Sequence, residues 1–216
     1  ETVDGIYIAS AKGNCEISNN IVHSIVRNHV NGYIPYLTGI RISHSGFTNN
    51  IKIYNNSISD IRTTYVGVPT TELLAKGISF AAGIYFGTTY EMWNNSISID
   101  GTSFPNASNA CMEIQEGTLD TYILKNNVLA NFSAAQTGVA GHYVISTNQT
   151  NRIGSAFTSS DFNDLFIAND AGTSGHIGRG NTTNYSTLAA WQTGMSYHSG
   201  IDANSVSANP NFVNNN

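Results

Sequence analysis

Few side chains in this sequence have the type and spacing needed to do chemistry. Arg41, His44 and Glu113 are the ones an acid–base mechanism would use, since proton abstraction needs a base and a cation that stabilises the developing charge. The six histidines show no spacing typical of a metal site, and the acidic residues form no cluster of the kind that binds Ca²⁺. Local motifs therefore indicate no catalytic residue and no metal site.

The composition narrows the class of protein. Hydrophobic residues make up 40% of the 216 residues, enough for a substantial core, whereas charged residues make up only 11%. With nine Lys and Arg and a net charge of −5, the chain has no basic stripe for nucleic acid. No apolar run approaches the roughly 18 residues that span a bilayer, so no membrane insertion is expected. Cys15 and Cys111 are expected to be free, buried thiols.

A short phrase ending in two asparagines recurs along the chain. Apolar and polar residues alternate before each pair, which is typical of a strand with one buried face. This alternation predicts that the first Asn of each pair points inward. The second Asn is expected at a bend, because Asn tolerates left-handed backbone geometry. The pairs are Asn19-Asn20, Asn55-Asn56, Asn94-Asn95, Asn126-Asn127 and, more weakly, Asn163-Asp164.

A second phrase recurs upstream of each pair and predicts another strand. Strands this short cannot bury their faces alone, whereas stacking each on its counterpart one repeat later forms long parallel sheets. Inward Asn side chains can then bond to one another along the stack. The phrase reads "GIYI" at 5–8, "GIRI" at 39–42, "GIYF" at 83–86, "CMEI" at 111–114 and "HYVI" at 142–145.

These repeats resemble the coils of the right-handed parallel β-helix, the superfold of pectate-lyase-like proteins, tailspikes and many bacterial surface proteins. The resemblance implies an all-β chain that forms a single-stranded right-handed parallel β-helix of about five to six coils with an Asn ladder. A β-sandwich with Asn-rich hairpin turns is the alternative. That fold predicts no aligned column of asparagines.

The end of the sequence carries a second resemblance. "NYSTLAAWQTG" followed by "DANSVSANPNFV" is similar to the closing segment of β-helix repeat proteins secreted by Bacteroidetes-type bacteria. Ser186 is the expected N-cap of a short helix with Leu188 and Trp191 on one face. Residues 1–216 are expected to form one β-helix domain, a piece of a longer chain, which residues 184–216 close at the C-terminal end.

Outward columns of stacked side chains are where a binding site is expected, with about 4.8 Å between successive strands. Tyr54 and Trp93 are expected to be neighbours beside the charges of Lys52 and Glu91, a combination suited to holding sugar rings. Alternatively, the rings pack beneath an insert formed by residues 62–80. The two columns are expected to be Ser18, Tyr54, Trp93, Lys125 and Phe162, and Glu16, Lys52, Glu91, Ile123 and Ser160.

The first sheet offers another outward column. Tyr85 is expected between Arg41 and Glu113, so that the three side chains form either the floor of a groove or ordinary surface. His44 is expected to project outward near Arg41. The column as a whole is expected to be Tyr7, Arg41, Tyr85, Glu113 and Val144.

Three functions remain open at this point. We expect a non-catalytic, secreted or cell-surface module, a rigid stalk or adhesin that binds polysaccharide or surface glycans through its outward aromatic columns. The alternative implied by the fold is a polysaccharide lyase or glycoside hydrolase that acts on an acidic polysaccharide over the Arg41–Glu113 face. Only the lyase would use a cofactor, Ca²⁺. The third is a purely structural segment of a large exported protein, with flanking domains as its partners.

Overall fold

The protein is an all-β parallel solenoid with one short helix near its C-terminal end. The computed structural model describes residues 2–9, 13–27, 36–43, 50–63, 70–81, 87–100, 107–115, 120–133, 141–147, 157–168, 174–195 and 200–212. The described strands are β1 (Thr2–Ala9), β2 (Cys15–Ser18), β3 (Ile21–Val22), β4 (Ile25–Arg27), β5 (Tyr36–Ser43), β6 (Asn50–Tyr54), β7 (Ser57–Ile58), β8 (Ile61–Thr63), β9 (Thr70–Ala81), β10 (Thr89–Trp93), β11 (Ser96–Ile99), β12 (Ala107–Ile114), β13 (Thr121–Lys125), β14 (Val128–Asn131), β15 (His142–Thr147), β16 (Phe157–Asp161), β17 (Asp164–Ile167), β18 (Gly175–Gly180) and β19 (Thr183–Tyr185). Helix α1 spans Leu188–Gly194.

The strands stack into three long sheets. The first sheet has the order β1-β5-β9-β12-β15-β18-β19, and its pairs are parallel except for β18 with β19. The second sheet has the order β16-β13-β10-β6-β2, and the third has β17-β14-β11-β7-β3. Strands β4 and β8 form a further parallel pair. We call one strand of each sheet, taken in chain order with the bends between them, a rung.

The number of coils differs from the sequence-based expectation of five to six. The solenoid makes about three regular turns, although strands stack five deep in the second and third sheets. Register shifts between β9 and β12 and between β13 and β16 interrupt the regular winding. The prediction had counted every Asn pair as one regular coil.

The core lies between the sheets and consists of apolar columns. Ile17, Ile53, Met92 and Leu124 are aligned by the strand register and all are buried, as the alternation predicted. Burying one such side chain contributes about 1.5–3 kcal/mol, and stacking repeats the gain at each rung. Tyr90 and Tyr122 stack in the next column, with ring centroids 5.0 Å apart.

The Asn ladder exists, but the two asparagines of each pair have the opposite roles to those predicted. Asn19, Asn55, Asn94 and Asn126, the first of each pair, are exposed and have φ values of 55–58°. The second of each pair accepts hydrogen bonds from the preceding rung. For example, Asn95 Oδ1 accepts from Asn56 Nδ2 at 2.9 Å and from Asn56 N–H at 3.2 Å. The ladder therefore runs through Asn20, Asn56, Asn95, Asn127 and Asn163.

The swap has a geometric cause. The strand ends one residue before the pair, so the first Asn already occupies the left-handed bend, and the bend turns the second side chain inward. The same rule corrects the fifth repeat. Phe162, with φ of 57°, takes the bend there and Asn163 joins the ladder, so the pair is Phe162-Asn163 and not Asn163-Asp164.

The first sheet corrects three further expectations. Strand β9 supplies the third strand of this sheet, so residues 70–80 are not part of an insert, and the expected "GIYF" strand at 83–86 lies outside the described residues. Gly77 is equivalent to Gly39 on the preceding strand of this sheet. Glycine is needed at both positions, because an added Cβ would clash with an inward isoleucine and a backbone oxygen. Val144 is buried in the core, and Ser146 is the outward neighbour of Glu113.

Helix α1 and the tail after it close the C-terminal end of the solenoid. The N-cap is Thr187, whose Oγ1 accepts from Ala190 N–H at 3.1 Å, and not Ser186 as predicted. Trp191 is fully buried and Leu188 packs against the core, so the contact face of the helix is confirmed. At the C-terminal end of the Asn ladder, Asp202 Oδ1 accepts hydrogen bonds from Ser160, Asn163 and Ser205.

Cys15 and Cys111 are free, and only Cys111 is completely buried. Among the described helical residues there is no stretch long and apolar enough to cross a membrane.

Candidate functional site

The aromatic pair predicted on the second sheet is formed. Tyr54 on β6 and Trp93 on β10 are aligned by the register, and their rings stack with centroids 4.7 Å apart and planes 2° apart. Tyr54 Oη donates to Glu16 at 3.1 Å. One face of each ring is thus covered by the other and is not available to stack on a sugar.

The charges beside the aromatic pair also lie where they were predicted. Lys52 and Glu91 are aligned neighbours on β6 and β10, and Glu91 accepts from Asn50 Nδ2 at 2.6 Å. The last member of each predicted column was wrong. A register shift places Asp161, and not Phe162, beside Lys125, and it places Ser159, and not Ser160, beside Ile123. Partial burial would raise the pKa of Asp161, but hydrogen bonds from Asn204 and the charge of Lys125 hold it below its usual value. That this face binds sugar stays a prediction.

Of the residues proposed for an enzymatic role on the first sheet, Arg41 and Glu113 are described, and they lie two strands apart as expected. Arg41 forms an ion pair with Asp4, with 3.2 Å between Nε and Oδ2, and its guanidinium lies 4.2 Å from the ring centroid of Tyr7. Ser79 separates Arg41 from Glu113 in the register, because β9 and not the expected strand at 83–86 is the intervening one. Tyr85 and His44 lie outside the described residues.

Glu113 is the centre of a polar cluster on the outer face of the first sheet. Its Oε2 lies 2.8 Å from Lys76 Nζ, accepts from Ser79 Oγ at 2.7 Å and accepts from Gln115 Nε2 at 3.1 Å. Neighbouring strands supply these partners, since Lys76 and Ser79 lie on β9 while Glu113 lies on β12. The carboxylate is held in one orientation by donors on three sides.

This cluster lines an open groove of about 330 Å³ on the first sheet. The groove crosses the outer face from β5 to β18, and about 4.8 Å separates each strand from the next. Tyr36 lies at one end, where its hydroxyl donates to Glu72, and Arg179 lies at the other. The lining residues are Tyr36, Glu72, Leu73, Lys76, Glu113, Ile114, Gln115, Ser146 and Arg179.

Arg179 differs from the other cations of this face in its contacts. The Lys76 ammonium is neutralised by Glu113, whereas Arg179 Nε is buried and has no hydrogen-bond partner among the described residues. The guanidinium lies 5.4 Å from the ring centroid of Tyr143, which is itself stacked with His176. A buried, unpaired donor is costly unless an acceptor can approach it. Arg179 is therefore the group of the groove best suited to bind an anion.

Sequence reasoning missed Lys76 and Arg179. Lys76 fell within the supposed insert, so it was never assigned to an outward face. Arg179 lies in "GHIGRG", which lacks the repeated phrase because its glycines replace the usual apolar residues. The strand register is the signal that could have identified Arg179, because Glu113, Ser146 and Arg179 are successive partners on neighbouring strands.

Asp120 is a buried carboxyl group outside the groove. Burial raises its pKa to about 6, although a hydrogen bond from Thr88 N–H lowers it in part. The folded protein thus binds this proton more tightly than the unfolded chain, in which the pKa is about 3.9. The stabilisation from the protonated group is complete below about pH 4 and is lost as the pH rises through about 6.

Asp120→Asn should therefore be more stable than the wild type at about pH 8 and equally stable below about pH 4. The amide keeps an oxygen for Thr88 N–H and cannot ionise. Urea midpoints of both proteins across this pH range measure the effect. A variant that is less stable at about pH 8 would show that the charged carboxylate stabilises the fold.

Among the described residues, no three His, Cys, Asp or Glu side chains are placed so that they could hold a metal ion. No protein-family model, no curated protein and no solved structure matched this chain in the three comparisons.

Proposed function

We propose that this protein is a non-catalytic β-helix module that binds acidic glycans in the groove of its first sheet. The observation that carries the proposal is the position of Arg179, a cation with a buried, unpaired Nε at the end of a groove lined by polar side chains. A carboxylate or sulfate on a sugar is the complementary group, because guanidinium binds such anions through paired hydrogen bonds.

The remainder of the groove suits a carbohydrate chain. Gln115 offers a side-chain amide to sugar hydroxyls, and Tyr36 offers an aromatic ring. Successive parallel strands, about 4.8 Å apart, each contribute different lining residues along the groove. A rigid stacked scaffold also limits the entropy lost on binding.

The hydrogen bonding of Glu113 favours binding over catalysis. A general acid or base needs a proton that can move to and from the substrate, whereas the Glu113 oxygen that faces Lys76 is occupied by three donors. Arg41 is likewise engaged by Asp4 and Tyr7. The lyase or hydrolase interpretation would need these groups to be released.

Secretion or display at a bacterial cell surface is part of the same proposal. It rests on the resemblance of the closing segment to secreted β-helix repeat proteins, and on the low charge of a chain rich in neutral polar residues. A rigid solenoid that carries a glycan groove on its side fits the role of a stalk or adhesin.

A glycan array that includes uronate, sulfated and neutral polymers tests this function. We expect binding to at least one acidic class, loss of signal at high salt because the contact is ionic, and unchanged polymer length after prolonged incubation. Shortened polymer or new unsaturated ends would establish the lyase or hydrolase alternative instead. Absence of binding to every acidic glycan would leave only a structural role.

A further inference from the structure

The groove of the first sheet is electrically uneven along its length. Among the described residues, the charged side chains that line it are Glu72, Lys76, Glu113 and Arg179. Their formal charges sum to zero, so the groove has no excess of positive charge that would attract a polyanion. Glu72 is exposed at the Tyr36 end, where it accepts a hydrogen bond from the Tyr36 hydroxyl, and Arg179 lies at the opposite end. The groove therefore has one acidic end and one cationic end.

The middle of the groove holds a cation that is already neutralised. Lys76 Nζ lies 2.8 Å from Glu113 Oε2, and the two side chains are only 11% and 13% exposed. Ser79 Oγ and Gln115 Nε2 also donate to the same oxygen. Separating this ion pair would leave a poorly solvated charge on each side, which is costly. Lys76 is therefore not free to bind an anionic group of a ligand.

Distance along the groove determines which part of a ligand meets each charge. Glu113, Ser146 and Arg179 are successive partners on β12, β15 and β18. Two strand spacings, about 10 Å, thus separate the neutralised pair from Arg179. An acidic group at Arg179 gains a charged partner, whereas a second acidic group beside Glu113 would lose water and find no cation available. Farther along, the carboxylate of Glu72 repels an anion.

We propose that the groove selects glycans in which acidic sugars are separated by neutral ones, and that Glu113 sets this preference. The inference rests on the function proposed above, since it concerns the same groove. Arg179 binds the single carboxylate or sulfate, and the neutral sugars lie over Lys76 and Glu113. Glu113 acts against competing ligands, because it neutralises the other cation of the described lining. A glycan that is acidic at every sugar must place an anionic group beside this carboxylate.

Three forms of one uronate oligosaccharide test the preference by isothermal titration. The first has a carboxylate on every sugar, the second has alternate carboxyl groups reduced to alcohols, and the third is fully reduced and neutral. We expect the wild type to bind the alternately reduced form about threefold to tenfold more tightly than the fully acidic form, the size of one unfavourable charge contact near a surface. General attraction to negative charge would give the opposite order.

Glu113→Gln tests the role of the residue. The amide cannot neutralise Lys76, so the fully acidic form should gain about tenfold in affinity and become the preferred ligand. The matched control is the double variant Lys76→Met, Glu113→Gln, which removes both charges of the pair and should keep the wild-type preference. Because it leaves neither charge unpaired, it also tests the proposal if Glu113→Gln alone does not fold. An unchanged order of affinities in folded Glu113→Gln, or a double variant that prefers the fully acidic form, would overturn the proposal.

Failure of the proposed function would give a different result from failure of this preference. A wild type that binds none of the three forms, or all three equally, would show that the groove does not recognise acidic glycans, and the preference would fall with the function. A wild type that binds both acidic forms better than the neutral one, but binds the fully acidic form most tightly, would keep the function and overturn only the preference for spaced acidic sugars.

Discussion

Asn95→Leu is expected to lower the free energy of unfolding by about 3–5 kcal/mol. Asn95 is buried at the middle of the ladder, where its Nδ2 donates to Ile53 O at 2.8 Å and to Asn127 Oδ1 at 2.9 Å. Its Oδ1 accepts hydrogen bonds from the backbone N–H and from the side-chain Nδ2 of Asn56. Leucine has a similar volume, so the loss comes from buried polar groups left without partners and not from a cavity.

Asn94→Gly is the matched control one residue earlier. Asn94 is exposed and has φ of 55°, a conformation that glycine adopts without steric cost. We expect its unfolding free energy to stay within about 1 kcal/mol of the wild type. Urea denaturation followed by circular dichroism measures both variants. If Asn94→Gly were the damaging change and Asn95→Leu the tolerated one, the assignment of the inward Asn would be reversed.

Trp191→Ala should have an effect of similar size at the C-terminal end. The indole is completely buried against Phe157 and Tyr185, and its Nε1 donates to Asp202 Oδ2 at 3.0 Å. Replacing a buried Trp by Ala costs about 3–5 kcal/mol. Because the indole also packs against Gly178 on β18, its loss opens the last part of the core at the C-terminal end. We therefore expect lower thermal stability together with concentration-dependent aggregation.

Thr193→Ala on the same helix provides the control. Thr193 is exposed and its hydroxyl bonds only to Ala189 O within the helix, so alanine should be neutral or slightly stabilising. Deletion of residues 184–216 should reproduce the Trp191→Ala aggregation more severely. Light scattering during thermal unfolding distinguishes these results. A deleted chain that stays monomeric and soluble would show that the tail does not close the solenoid.

Much of the fold followed from the sequence because its repeat is local. Alternation before each Asn pair correctly predicted that Ile17, Ile53, Met92 and Leu124 point inward. The stacking of each strand on its counterpart in the next repeat followed from the same pattern. The short helix with buried Trp191 also followed from its own spacing. These features depend on residues close together in the chain, where pattern reasoning is strongest.

The errors arose where tertiary geometry overrides local pattern. Simple alternation placed Asn55 inward, but the strand ends at Tyr54 and the left-handed bend moves that role to Asn56. The prediction for the first sheet was wrong at β9, because "KGISF" and not the expected "GIYF" pairs with β5. Because β9 was not predicted as a strand, neither the outward position of Lys76 nor the groove was predicted.

The candidate site was predictable only in part. Tyr54 and Trp93 were correctly paired because each precedes an Asn pair by one residue. Their mutual stacking, at 4.7 Å, could not be foreseen from spacing, and it covers one face of each ring. The groove combines side chains from strands far apart in sequence, such as Lys76 and Arg179, whose contacts depend on register over several rungs.

Affinity for an acidic glycan in two single variants tests most directly whether the first-sheet groove is the binding site. The measurement is isothermal titration with a uronate oligosaccharide, and its carboxyl-reduced, neutral counterpart serves as the reference. Arg179→Gln should weaken uronate binding by about tenfold to a hundredfold, the value of one charge-assisted hydrogen bond, and should abolish the preference over the neutral sugar. Trp93→Ala should bind as the wild type does. Loss of binding in Trp93→Ala with full affinity in Arg179→Gln would contradict the proposal and place the site on the aromatic pair of the second sheet.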